Sequence, residues 1–131
     1  MRKKGWQKVT IKEVSEKYNI SQNTLRYYER VGMIPTVHRT PGGIRDYQKE
    51  DLGWVELALC MRSAGLPVEV MSQYVKLVQQ GDSTIPARLL LLLEQKEKLL
   101  AQQKQIEVTL ERLNRKIAKY EEENGIQGAN G

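Results

Sequence analysis

Residues 10–32, TIKEVSEKYNISQNTLRYYERVG, decide the fold. Thr10 with Glu13 three residues later is a capping box, and it opens a short helix over about 11–17. The apolar residues Ile11, Val14 and Tyr18 recur there at helical spacing. Tyr18-Asn19-Ile20 forms the turn, since asparagine tolerates the left-handed conformation that a tight connection demands. Ser21 caps a second helix over about 22–31, and Gly32 stops it. Two short helices joined by a turn of three or four residues form a helix-turn-helix. Leu25 and Tyr28 supply the buried side of its second helix, while Gln22, Asn23, Arg26, Tyr27 and Arg30 share the outer side.

Downstream, Val37-His38-Arg39 and Ile44-Arg45-Asp46-Tyr47 flank the turn Thr40-Pro41-Gly42-Gly43, which predicts a β-hairpin. Two strands alone are marginal, so this wing must lean on the helices. A third helix is expected over about 50–64, ended by Gly65, with Leu52, Val55 and Leu59 and Leu57, Ala58 and Met61 on its inner faces. A fourth is expected from Pro67 to about residue 80, stopped by Gly81. From Ser83 or Thr84 onward nothing breaks a helix before Asn124-Gly125, which gives an element roughly 55 Å long. Leu92, Leu99, Ile106, Leu113 and Tyr120 repeat along it every seven residues, with Leu89, Leu110 and Ile117 three residues ahead of three of them. Lys96 and Gln103 fill the remaining places of that second row. This is a heptad seam with a polar middle, and a lone helix carrying it exposes apolar surface to water. No second helix of comparable length exists to fold back on it, so the seam predicts a homodimer, with antiparallel pairing favoured.

The fold class read from these elements is mainly α: a winged helix-turn-helix over 9–81 and a coiled-coil dimerisation helix over 84–123. A basic leader, 1–8, precedes them. The tail, 124–131, has nothing to pack and is expected to be disordered.

The net charge is +5 in 131 residues, and residues 1–50 hold all of the excess, with eleven Lys/Arg against five Asp/Glu. That asymmetry suits a polyanion-binding module attached to a neutral assembly module. In a helix-turn-helix the second helix enters the major groove. Gln22 and Asn23 are short amides suited to base edges, while Arg26 and Arg30, four apart, project together toward phosphates. The alternative is that these arginines only pair with acids such as Glu29. The wing adds Arg39 and Arg45 around a Gly-rich tip. Double-stranded DNA is the expected partner.

Other classes find little support. No nucleophile–base pair or phosphate loop is visible, so no enzymatic activity is expected. One cysteine and one histidine make neither a disulfide framework nor a dedicated metal site, and no cofactor is expected. No window reaches the apolar length of a membrane span, and Gly5-Trp6-Gln7-Lys8 stands where a signal peptide needs an apolar core. The expected location is the cytoplasm, with the nucleoid.

The run Thr24-Leu25-Arg26-Tyr27-Tyr28-Glu29, then Gly32, the wing from Arg39 to Tyr47, and Asp51-Leu52 resemble the MerR family of bacterial transcription regulators, over residues 9 to about 122. The resemblance implies a homodimer with an antiparallel coiled coil. It would act at promoters whose −35 and −10 elements are set too far apart, distorting the spacer so that RNA polymerase can align with both. It also implies backbone contacts by Arg26, Tyr27, Arg45 and Tyr47, and a second wing at Gly65-Leu66-Pro67-Val68-Glu69. Gln48 departs from the Ser or Thr cap usual before the third helix, which predicts a less firm start, and Gly53 costs about 1 kcal/mol inside that helix. Metal-responsive members carry paired cysteines near the end of the coiled coil, and this sequence lacks them.

The stretch around Cys60, together with residues 80–88, resembles the MerR subgroup that responds to aldehydes and other thiol-reactive electrophiles at a single cysteine. The residues themselves leave an alternative open, because a cysteine on a core helix is commonly a small apolar filler. Three readings therefore stand side by side: an activator switched at Cys60, the same DNA-binding dimer acting constitutively or through a noncovalent ligand, and a structural coiled-coil protein.

Overall fold

The computed structural model describes residues 8–125. Helices α1 (Ile11–Tyr18), α2 (Gln22–Arg30), α3 (Lys49–Ser63) and α4 (Val68–Gln79) are followed by a 3-10 turn (Asp82–Thr84) and the long α5 (Ile85–Glu123). The mainly helical fold read from the sequence, ending in one long helix, is thus observed. The chain divides into two compact units after Leu92, so the N-terminal unit runs past Gly81 into the first turns of α5. Leu91, which is 8% exposed, is part of the reason. Among the described residues no helix is long and apolar enough to cross a membrane.

The caps act as the sequence indicates. Thr10 Oγ1 accepts from the Glu13 N–H while the Glu13 carboxylate accepts from the Thr10 N–H. Asn19 closes α1 in the left-handed region at φ 54°. Ser21 Oγ accepts from the Thr24 N–H to start α2. These contacts set the angle between α1 and α2, whose inner residues Val14 and Leu25 are fully buried. Val55 of α3 and Met71 of α4 close over them, with Met33 and Tyr47 in the same cluster. Burying a side chain such as Leu25 stabilises the unit by about 1.5–3 kcal/mol. Trp54 of α3 and Tyr74 of α4 add a tilted ring pair with centroids 5.9 Å apart.

The expected hairpin is corrected to a loop: among the described residues its β pairing is a single antiparallel bridge, Arg39 with Arg45. Thr40 N–H donates to Ile44 O and Asp46 N–H to His38 O around that bridge. The ladder goes no further because the other backbone donors find different acceptors. Val37 N–H goes to the Glu29 carboxylate, His38 N–H to Asp51, and Tyr47 N–H to Val9 O. At the tip, Gly43 takes φ 87°, a conformation that disfavours any side chain with a Cβ.

The start of α3 is also firmer than Gln48 suggests. Asp51, only 5% exposed, accepts the Gln48 N–H at 2.8 Å, while the Gln48 amide turns back to Asp46. Pro67 caps α4 rather than entering it, and Gly65-Leu66 forms a tight turn in which Leu66 is buried and its carbonyl accepts from Arg62. Most of the basic leader and residues 126–131 of the tail lie outside the described residues. Asn124 and Gly125, assigned to the tail from the sequence, instead donate to Tyr120 O and Glu122 O and complete the end of α5.

Candidate nucleic-acid interface

The outer face of α2 forms a connected polar surface. Arg26 donates from one terminal nitrogen to Asn23 Oδ1 at 3.0 Å and from the other to Gln22 Oε1 at 3.2 Å. The two amides expected at base edges and the arginine expected at phosphates are therefore held as one array. A planar guanidinium bonded in two places gives up little further side-chain freedom when it meets a ligand. Arg30 lies over the Tyr27 ring, 5.4 Å from its centroid, and Tyr27 is 38% exposed. Among the described ion pairs, Glu29 engages neither Arg26 nor Arg30.

Glu29 serves the wing instead. One carboxylate oxygen accepts from Arg45 Nε at 2.8 Å; the other accepts from Val37 N–H at 3.0 Å and lies 3.5 Å from Arg39. With only 9% of its side chain exposed, Glu29 ties both wing arginines to α2 in a weakly screened setting. Arg39 also donates to Gly43 O across the tip. Reading the sequence residue by residue misses this role. The signal was Glu29 itself, an acid in the most basic third of the chain.

Tyr47 does not lie on the surface. It is 0% exposed, within the core, and burial pushes its phenol up to about 12. The DNA contact expected from the resemblance gives way to a structural role, in which Tyr47 anchors the end of the wing with its backbone tied to Val9.

Asp51 anchors the wing's other edge. His38 Nδ1 lies 2.8 Å from its carboxylate, and this hydrogen bond holds the imidazole pKa above its ordinary value, with the Asp51 charge adding to the effect. A raised folded-state value means that protonated His38 stabilises the fold. That contribution is complete below the unfolded pKa of about 6.5 and fades as pH rises through the folded value. The melting temperature is therefore expected to fall as pH is raised from about 6.5 toward 8, beyond any drift in a His38→Ala variant. Parallel pH profiles of the two proteins count against the linkage.

A groove of about 370 Å³ runs beside this surface, with Tyr27 and Val31 on one wall and Glu69, Ser72, Gln73 and Lys76 of α4 on the other. On α5, the seam residues Leu89, Ile106, Leu110, Leu113, Ile117 and Tyr120 are exposed, and Leu92 and Leu99 half-buried. Cys60 is exposed near the end of α3, so it is not the buried filler that its helix suggested.

Comparison with known proteins places these features in a family. The profile described as "MerR family regulatory protein" matches residues 10–47. HTH-type transcriptional regulator AdhR of Bacillus subtilis is 44% identical over 92 residues, covering 70% of this chain and 66% of AdhR, so about a third of that protein lies outside the match. A MerR family transcriptional regulator from Listeria monocytogenes superposes with a TM-score of 0.83 at 41% identity, covering 86% of each chain. HiNmlR, described as a MerR family regulator lacking the sensor domain and bound to promoter DNA, superposes with a TM-score of 0.82 at 29% identity, covering 91% of this chain and 94% of its own.

Proposed function

The chain belongs to the MerR family of transcriptional regulators, and on that premise we propose that it binds a palindromic promoter site as a homodimer and distorts an overlong spacer between the −35 and −10 elements. The observation that carries this reading is the Gln22–Asn23–Arg26 array on α2, flanked by a wing whose Arg39 and Arg45 are locked to the same helix through Glu29. The amides face base edges and the arginines face phosphates, so the protomer reads sequence and grips the backbone with one rigid unit. HiNmlR, the similar protein bound to promoter DNA, supports the same assignment.

A palindrome needs two protomers, and α5 supplies the means. Packed antiparallel, its two apolar rows interleave: Leu89 with the partner's Tyr120, Leu92 with the partner's Ile117, and Leu99 with the partner's Leu110. Lys96 then faces the partner's Leu113, and Gln103 the partner's Ile106. An in-register parallel pair sets Lys96 against its own copy inside the seam, where like charges repel at low dielectric. The polar middle thus selects the antiparallel arrangement. Bending and untwisting the spacer lets RNA polymerase meet both elements, and the energy of deformation is offset by contacts on both half-sites.

Cys60 is the proposed switch. Its thiol sulfur adds to the carbonyl carbon of an aldehyde, the C=O π bond opens, and the thiol proton passes to the oxygen to give a hemithioacetal. Exposure of Cys60 and the 44% identity to AdhR support the assignment. In a reporter driven by the protein's own upstream region, Cys60→Ser is expected to lose at least about tenfold of the response to formaldehyde or methylglyoxal while keeping basal promoter binding. A full response in that variant removes Cys60 from the mechanism and leaves a constitutive or noncovalently regulated activator.

A further inference from the structure

We propose that the groove between the end of α2 and α4 seats a backbone phosphate of the bound duplex, with Lys76 as its cation and the Tyr27 hydroxyl and Gln73 amide as hydrogen-bond donors. This inference rests on the DNA-binding reading above and extends the interface along α4, past Val68 and Glu69, where the second wing implied by the resemblance ends. The groove is built into the unit that carries α2. Ser72 Oγ donates to Val31 O at 2.9 Å, and Val31 is the residue that caps α2, so the α4 wall is fixed to the DNA-facing helix. Tyr27 belongs both to the exposed face of α2 and to the groove, which makes the groove continuous with the candidate interface.

The chemistry of the lining favours an anion at one end. Lys76 and Gln73 are exposed one turn apart on α4, and among the described residues no ion pair engages Lys76. The Ser72 hydroxyl is already used on Val31, which leaves Tyr27, Gln73 and Lys76 as donors. Glu69 lies seven residues before Lys76, about 10 Å along the helix axis. It occupies the first turn of α4, where a helix N-terminus favours an acid. There it repels an anion from its own end and leaves the Lys76 end as the seat. An open groove with one mobile cation and two neutral donors suits a phosphate of a continuous backbone, not an enclosed small molecule, which needs walls on most sides.

The test is fluorescence anisotropy of the full chain on two labelled duplexes, the protein's own upstream region and a scrambled one, between about 50 and 200 mM salt. Losing one phosphate contact per protomer removes two per dimer, so Lys76→Gln is expected to flatten the slope of log affinity against log salt by about 1.8. The wild-type advantage then shrinks about tenfold across that salt range, equally on both duplexes, because a phosphate carries no sequence information. Lys76→Arg is expected to keep the wild-type slope, and Glu69→Gln to tighten binding to both duplexes. Arg26→Ala serves as the control for the interface itself. If Arg26→Ala flattens the slope and Lys76→Gln does not, the groove proposal fails and the DNA-binding reading stands. If the wild-type protein shows no salt slope, both fall. Because Lys76 is exposed, an unchanged melting temperature is expected for its variants, and a drop of several degrees there assigns the residue a structural role instead.

Discussion

Replacing Leu110 by aspartate is expected to leave the protein monomeric at micromolar concentration and to abolish detectable promoter binding. Leu110 is 52% exposed on the protomer and lies outside its buried core, so the substitution opens no cavity within the chain. In the antiparallel seam proposed above it pairs with the partner's Leu99, and two-fold symmetry then repeats the loss at both ends of the helix pair. Removing a packed leucine costs about 2–5 kcal/mol, and a carboxylate placed against apolar side chains adds a desolvation penalty. Counted twice, the effect exceeds about 4 kcal/mol, a thousandfold or more in the dimer dissociation constant. A monomer reaches only one half-site of the proposed palindrome, which on the proposed mechanism leaves the spacer undistorted. Sedimentation or light scattering, with melting temperature as the control for folding, reads the outcome. A Leu110→Asp protein that remains dimeric removes the seam from the dimer interface.

Glu29→Ala is expected to produce the second large effect, by releasing the wing. Its carboxylate is the acceptor for Val37 N–H and Arg45 Nε and lies beside Arg39, with little solvent around it. Removing it leaves the part-buried Val37 amide and the Arg45 guanidinium without their acceptor and takes the counter-charge from Arg39, which costs about 2–4 kcal/mol. For a unit of this size that lowers the melting temperature by about 10 °C or more. Promoter affinity is expected to fall at least about tenfold, because Arg39 and Arg45 then have to be ordered on binding. Glu29→Gln keeps an acceptor for Val37 N–H and loses the charge, so it should lie between the two. A Glu29→Ala protein with wild-type melting temperature and affinity shows that the wing is held by other contacts.

These two residues also show what the sequence makes legible. The seam and the α1–α2 pair are local patterns: a cap three residues before its acid, a leucine every seventh place, and a glycine or asparagine where the chain must turn. Such signals lie within one turn or one repeat of the residues they govern, and they survive in the structure. The wing is different. Its shape depends on Glu29 and Asp51 reaching backbone amides 8 and 13 residues away, with no periodicity to mark them. The hairpin therefore shortened to one bridge, and Tyr47 moved from the expected DNA contacts to the core, where its backbone amide meets Val9. The groove beside Tyr27 exists only because α4 docks at the end of α2, a tertiary contact that neither helix announces alone. Cys60 illustrates a further limit. Spacing put it on a core-facing helix, and only the packed structure shows which side of that helix it takes.

Everything proposed above turns on a dimer that reads a specific promoter site through α2 and its wing. The most direct measurement is a titration of the full chain onto its own upstream region and onto random duplex, with stoichiometry and salt dependence recorded together. Two protomers per site are expected, with a binding constant about a thousandfold or more tighter on the specific duplex and a steep fall with salt on both. Equally weak binding to both duplexes at every salt concentration would contradict that reading.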